Sequence, residues 1–298
     1  NVLAGKRYGI PVKGTHAHSW VMSFADEPEA FQAYAEAMPN NCTFLVDTYD
    51  TLEGVRRAVA VGQWLRDRGH EMVGIRLDSG DLAWLSVEAR KILDAAGFPK
   101  AVIVASNDLD ENIIASLKQQ GAQINMWGVG TKLVTAYDQP ALGGVYKLGA
   151  IRDEAGRWAC KVKLSEQVAK VSNPGIQQVR RFFNAEEFLG DAIYNLEAPL
   201  PATFAVVDPL DATRRKRFPP GTEYEDLLVP IFRQGQLVGP RPNLGAIRER
   251  ARAQLGRFHA GVKRLMNPHA YPVGLEAGLH ELKTNLILQA RGTMVSPD

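Results

Sequence analysis

Met72-Val73-Gly74-Ile75-Arg76-Leu77-Asp78-Ser79-Gly80-Asp81 is an apolar run of strand length that turns charged at its far end. The same change of character occurs three more times. Residues 42–47 (CTFLVD) end in Asp47, residues 101–106 (AVIVAS) run into Asn107-Asp108, and residues 124–128 (INMWG) run into Val129-Gly130-Thr131. Between them lie segments of helical periodicity at 51–68, 81–96 (stopped by Gly97) and 110–120 (before Gly121), with a short helix from Lys132. Strands alternating with amphipathic helices predict βαβ units and a parallel sheet. The nearly continuous apolar strands predict a sheet covered on both faces. An open doubly wound sheet and a closed (β/α) barrel both produce this rhythm. The polar strand ends separate them, because a barrel collects such a cluster from each strand around one rim, whereas a doubly wound sheet gathers them at one switch point. Four clusters at four successive strand ends favour the barrel.

The pattern changes near Pro140. Residues 145–151 and 157–163 read as strands joined by the turn Asp153-Glu154-Ala155-Gly156. Further strand-like runs at 204–207 and 227–232 are separated by proline-rich breaks, and helices are expected over 244–265 and 275–290. The expected division is therefore an α/β barrel portion over 1–140 and a second, mixed or antiparallel domain with C-terminal helices over 141–298.

Composition narrows the function classes. The 298 residues are 45% hydrophobic and 23% charged, which is ordinary for a globular protein that buries its own core. A formal net charge of +2 gives no field that would point to nucleic acid or a membrane surface. No stretch approaches the roughly 18 apolar residues of a spanning helix. Two distant cysteines, Cys42 and Cys160, read as reduced thiols of a cytoplasmic protein rather than a disulfide or metal pair.

The polar strand ends carry the candidate chemistry. Gly128-Val129-Gly130-Thr131 lets backbone amides approach a phosphate at a strand-to-helix junction, though a tight turn alone would also use these glycines. Arg76 with Asp78 and Asp81 sets one cation and two carboxylates at one strand end, suited to a ribose diol or to the oxygen-rich shell of Mg²⁺. Capping of the next helix by Asp78 or Ser79 would account for one acid but not for Arg76. Ser106-Asn107-Asp108 repeats the logic, with Asp108 also placed to cap a helix. In Gly14-Thr15-His16-Ala17-His18-Ser19 the two histidines, two apart, do not share a helical face and so do not form a zinc pair. His18 is placed to reach the rim as acid, base or phosphoryl acceptor. His70, His259, His269 and His280 lack such a setting and read as structural or surface residues.

Taken in order, Gly14-Thr15-x-Ala17-His18-Ser19, Arg76-x-Asp78-Ser79-Gly80-Asp81, Ser106-Asn107-Asp108 and Gly128-Val129-Gly130-Thr131 closely resemble the nicotinate phosphoribosyltransferase family. Asn1-Val2-x-Ala4 is similar to the tail of that family's GTSN segment. Lys163-Leu164-Ser165-Glu166, Lys170, Pro174-Gly175 and Arg180 are similar to its region after the barrel. The resemblance implies an irregular barrel of the type II phosphoribosyltransferase kind. It implies phosphoribosyl transfer from phosphoribosyl diphosphate to nicotinate in NAD salvage, with ATP as co-substrate, Mg²⁺ beside the diphosphate, and a homodimer. By the same resemblance His18 is the phosphorylated histidine, Arg76 holds the ring or phosphate region, and Asp78 holds the ribose hydroxyls. Thr15, Asp81, Ser106, Asn107, Asp108, Gly128, Gly130 and Thr131 are the remaining substrate contacts, with Asp78 and Asp81 as Mg²⁺ ligands.

Two departures stand out. The family extends upstream of Asn1, where it supplies part of the ring pocket and the first barrel strands, so the ring-binding residues are expected there. Ile176-Gln177 occupy a stretch where the family often has lysine, which leaves Arg180 and Arg181 as substitutes for that basic contact. The nearest rival is a nicotinamide phosphoribosyltransferase, against which Leu77 and Gly14-Thr15 argue. A non-catalytic phosphate-ligand-binding fragment is a rival of another class. An unrelated phosphate-binding barrel, an isomerase or aldolase, is a third.

Overall fold

The computed structural model describes residues 2–292. Asn1, the first residue of the GTSN-like segment, lies outside them. Two compact units divide the chain at Gly143/Gly144.

The first unit holds α1 (Val2–Tyr8), α2 (His18–Val21), α3 (Glu27–Ala37), β1 (Thr43–Leu45), α4 (Thr51–Arg66), β2 (Gly74–Leu77), α5 (Leu82–Ala95), β3 (Val102–Ala105), α6 (Glu111–Gln119), β4 (Met126–Trp127) and α7 (Thr131–Val134). Strands β1–β4 form a parallel sheet in sequence order, with Leu45, Arg76, Val104 and Met126 in one cross-sheet row. Alternation along each strand sorts the two faces. Phe44, Ile75, Leu77, Ile103 and Ala105 join Phe31, Val55, Leu65, Leu85 and Leu93 of α3, α4 and α5 in one core. Thr43, Arg76, Val102 and Val104 line a cavity instead. Among the described residues helices thus pack on one face of this sheet, whereas the apolar strands had suggested cover on both. The one-sided cover is nevertheless what separates barrel-like from doubly wound packing.

Helix starts follow local hydrogen-bond needs. Asp26, Asp50, Asp81 and Asp110 each accept a backbone N–H from the first turn of α3, α4, α5 and α6. The caps of α5 and α6 are therefore Asp81 and Asp110, not Asp78, Ser79 or Asp108.

The second unit contains β5 (Ala150–Arg152), β6 (Trp158–Cys160), β7 (Gln177–Phe183), β8 (Phe188–Asn195), β9 (Phe204–Val207), β10 (Arg215–Phe218), β11 (Glu223–Asp226), β12 (Phe232–Arg233), β13 (Gln236–Leu237), α8 (Leu244–Gly256), β14 (Val273–Glu276) and α9 (Ala277–Ala290). Hairpin β5–β6 forms around the expected 153–156 turn. Six strands make a mixed sheet in the order β10-β9-β14-β8-β7-β11, in which only the β14–β8 pair is parallel. Its core is Phe182, Ala192, Tyr194, Phe204, Val206 and Phe218.

Three sequence expectations change here. Residues 273–276 form a strand between β8 and β9, and the last helix begins at Ala277, because the Glu276 side chain accepts the Leu279 N–H and caps it there. Residues 227–231 are not a strand: Pro230 brings no N–H to a ladder. The expected 244–265 helix stops at Gly256, and a 3₁₀ turn follows at Ala260–Lys263. Arg180 and Arg181 are also not free basic contacts. Arg180 pairs with both Asp226 oxygens at 2.9 and 3.0 Å, and Arg181 with both Asp191 oxygens at 2.9 and 2.8 Å. Both arginines are mostly buried, so these forked pairs hold the sheet together.

Candidate active site

The C-terminal ends of β1, β2 and β3 bring their polar residues into one network. Arg76 sits on the cavity face of β2 and spends each guanidinium nitrogen on a different partner. Nε donates to Ser106 Oγ at 2.8 Å, Nη1 to Thr15 Oγ1 at 3.0 Å, and Nη2 to Asp78 Oδ1 at 2.9 Å. Ser106 Oγ also donates to Asp78 Oδ1. Burial pushes the Asp78 carboxyl up, but hydrogen bonds from Ser106 and Arg76 and the charges of Arg76 and His18 outweigh it. The group ends below the usual carboxylate range.

His18 opens the single turn α2 and faces the same network. Its Nδ1 lies 3.1 Å from Thr48 Oγ1, and its Nε2 lies 3.7 Å from Asp78 Oδ2 and 3.9 Å from Asp47 Oδ1. Asp47 is the residue to which sequence reading assigned no role beyond ending β1. Its Oδ2 accepts from the Asp78 N–H at 2.7 Å and from Ser79 Oγ at 2.8 Å. Its Oδ1 is buried without a hydrogen-bond partner among the described residues. A buried, unmatched carboxylate oxygen is costly, and the nearest cationisable group is His18. The only sequence signal for this was the polar residue closing the strand.

His16 turns the other way. It packs against Phe31, Tyr34 and Phe44, and its Nε2 accepts the Leu45 N–H at 3.2 Å. Burial lowers its pKa to about 4, so it is a neutral cap on the edge of β1.

The remaining expected site residues fall around this centre. Asn107 and Asp108 have φ of 89° and 45°, a left-handed pair directly after Ser106. Non-glycine residues held there mark a loop whose shape is imposed by its surroundings. Gly128 N–H donates to Ala105 O at 2.7 Å, and Gly130 precedes α7, which starts at Thr131. Lys132, beside this loop, lies 3.5 Å from Asp110 and stacks on Tyr137. Asp81 spends one carboxylate oxygen on the Trp84 N–H at 3.0 Å. Among the described residues no three acidic, histidine or cysteine side chains converge as a metal site. A cavity of about 360 Å³ opens against Arg76, Ser106 and Gly128 on the face of the sheet away from the helices.

Residues 1–187 match the nicotinate phosphoribosyltransferase (NAPRTase) family, and residues 176–283 match the nicotinate phosphoribosyltransferase C-terminal domain. The chain belongs to the nicotinate phosphoribosyltransferase family. It is 43% identical to the nicotinate phosphoribosyltransferase of Bacillus subtilis (strain 168) over 96% of this chain and 60% of that protein. The Dictyostelium discoideum nicotinate phosphoribosyltransferase is 34% identical over 97% of this chain and 58% of its own length. The crystal structure of human nicotinic acid phosphoribosyltransferase superposes with a TM-score of 0.76 at 30% identity, covering 96% of this chain and 64% of that one. The chain thus spans about 60% of the length of these curated nicotinate phosphoribosyltransferases. No helix among its described residues is long and apolar enough to cross a membrane.

Proposed function

We propose that the polypeptide carrying this chain transfers the phosphoribosyl group of phosphoribosyl diphosphate to nicotinate, yielding nicotinate mononucleotide and diphosphate for NAD salvage. ATP is the co-substrate that phosphorylates His18, and the enzyme acts as a cytoplasmic homodimer. The observation that carries the reading is the joined network of Thr15, His18, Asp47, Arg76, Asp78 and Ser106 in a family member.

In the transfer, the nicotinate ring nitrogen bonds to the anomeric carbon as the bond to diphosphate breaks. Positive charge builds on the ribose and negative charge on the leaving group. Asp78, held ionised by Arg76 and Ser106, supplies fixed negative charge on the ribose side. The amides of 128–131 and of the left-handed Asn107-Asp108 turn are suited to the 5′-phosphate. Mg²⁺ held mainly by phosphates needs few protein ligands. Asp78 Oδ2, which faces His18 at 3.7 Å, fits that need, whereas Asp81 is occupied in part as a helix cap. The ion would neutralise charge on the leaving diphosphate.

Asp47 and Asp78 flank His18 Nε2 at 3.9 and 3.7 Å, so a phosphoryl group on this ring is crowded by negative charge. Phosphorylation of His18 therefore stores free energy that its hydrolysis can return to the transfer. The test is nucleotide formation by the full polypeptide given nicotinate and nicotinamide together with phosphoribosyl diphosphate and MgATP. Nicotinate mononucleotide is the expected product. Nicotinamide mononucleotide, or no nucleotide, contradicts the proposal.

A further inference from the structure

Little holds the ring of His18. The residue opens α2, a helix of one turn whose N-cap, Ala17, offers no side-chain bond. Its side chain is partly exposed, and the two carboxylates facing Nε2 stand at 3.7 and 3.9 Å, beyond hydrogen-bond range. Among the described residues the ring has one hydrogen-bond partner, Thr48 Oγ1, at 3.1 Å from Nδ1. Thr48 is itself well placed. It lies in the short link between β1 and α4, and both ends of that link are fixed. At the strand end the Val46 N–H donates to Arg76 O at 3.2 Å, and Asp47 Oδ2 accepts the Asp78 N–H at 2.7 Å. At the helix end Asp50 accepts the Glu53 N–H on its side chain and the Gly54 N–H on its carbonyl, each at 2.8 Å. The start of α4 comes so near Val46 O that a Cβ at Gly54 would overlap it. A β-branched side chain adds a stiff χ1 of its own. Two successive residues, Asp47 and Thr48, thus reach the two nitrogen edges of one imidazole.

We propose that Thr48 is a positioning residue whose hydroxyl holds the imidazole of His18 in place for phosphoryl transfer from ATP. The inference rests on the reading of His18 as the phosphorylated residue and adds a side chain that the sequence motifs passed over. In the step, the ring nitrogen that carries the lone pair bonds to the γ-phosphorus of ATP. The bond from that phosphorus to the β–γ bridging oxygen breaks, and ADP leaves with the electron pair. A neutral imidazole already has one N–H and one lone pair, so no proton has to leave in this step. What the step requires is a ring held in line with the phosphorus, and a misplacement of about 1 Å is enough to cost on the order of a hundred-fold. A hydroxyl suits the position for two reasons. It donates or accepts, so it holds the ring in either tautomer. It also adds no charge beside two carboxylates that an incoming triphosphate must already approach.

The test compares Thr48→Val and Thr48→Ser with the wild-type full polypeptide, following the rate at which the protein takes acid-labile label from γ-labelled MgATP over a range of ATP concentrations. Thr48→Val keeps the shape and loses the hydroxyl, and the maximal labelling rate should fall roughly ten-fold to a hundred-fold. The ATP concentration that gives half the maximal rate should change little, because the lost contact is to His18 and not to the nucleotide. Thr48→Ser should restore most of the rate. Should Thr48→Val fail to fold, Thr48→Ala set against Thr48→Ser isolates the same hydroxyl with the methyl absent from both, and the alanine variant should be the slower by a similar factor. Thr48→Val that labels at the wild-type rate, or serine and alanine variants that label equally fast, overturns the assignment while leaving the phosphorylation of His18 standing. A rise confined to the half-maximal ATP concentration also overturns it, since that would put Thr48 on the nucleotide. Wild type that never takes label refutes the underlying reading and the inference with it.

Discussion

At the scale of the residue, the two histidines of Thr15-His16-Ala17-His18 divide the labour that sequence alone left open. His18 meets two carboxylates at the rim, while His16 is buried and neutral with a pKa lowered to about 4. The unfolded chain binds a proton at this position near pH 6.5 and the folded chain only near pH 4. The stabilisation is therefore whole above about pH 6.5 and is lost as pH falls toward 4. The loss is on the order of 3 kcal/mol, and urea midpoints at pH 7 and pH 4.5 should show it. His16→Gln should be less stable at pH 7 but flatter with pH, and a wild-type midpoint unchanged across this range contradicts the burial argument. Asp47→Asn should keep most of the contact to the Asp78 amide yet lower ATP-stimulated turnover by roughly ten-fold or more, since the charge facing His18 is gone. Unaltered turnover would show that this charge does not act on His18. Arg76, Asp78, Ser106 and His18 were legible because each lies at or beside a strand end or a helix start in a familiar order. Asp47 was not, because its role depends on Oδ1 being sealed from water, which no linear pattern encodes.

At the scale of the element, alternation and capping explain most of what was legible. The parallel βα rhythm emerges at the expected places because aspartates and glycines punctuate it. The β7–β8 hairpin stayed hidden because its buried positions include arginine and aspartate, which lose their polar signature only when paired across the sheet. Asp191→Ala should leave Arg181 unpaired in a mostly buried setting and cost about 3 kcal/mol or more in a denaturant titration. A loss below about 1 kcal/mol would mean that water satisfies Arg181. Helix α4 is held so close to the end of β1 that a Cβ at Gly54 would overlap the carbonyl oxygen of Val46, next to Asp47. Gly54→Ala should therefore lower stability by about 1–3 kcal/mol despite the better helix propensity of alanine. A stabilised variant would show that α4 shifts freely.

At the scale of the whole molecule, the chain is two units, and the candidate chemistry gathers in the first. The family, the parallel sheet and the residues of the rim were readable from the order of four short motifs. The six-stranded sheet of the second unit was not, because β14 enters it from near the C-terminus and pairs with strands far back in sequence. Such long-range pairings leave no local period. The central claim is that this rim couples ATP to phosphoribosyl transfer through His18. Incubating the full polypeptide with γ-labelled ATP and Mg²⁺, and following acid-labile label on the protein, tests it most directly. The expected result is label in the wild type that phosphoribosyl diphosphate and nicotinate discharge, and none in His18→Asn. Label that persists in His18→Asn, or wild-type protein that never takes label, contradicts the account.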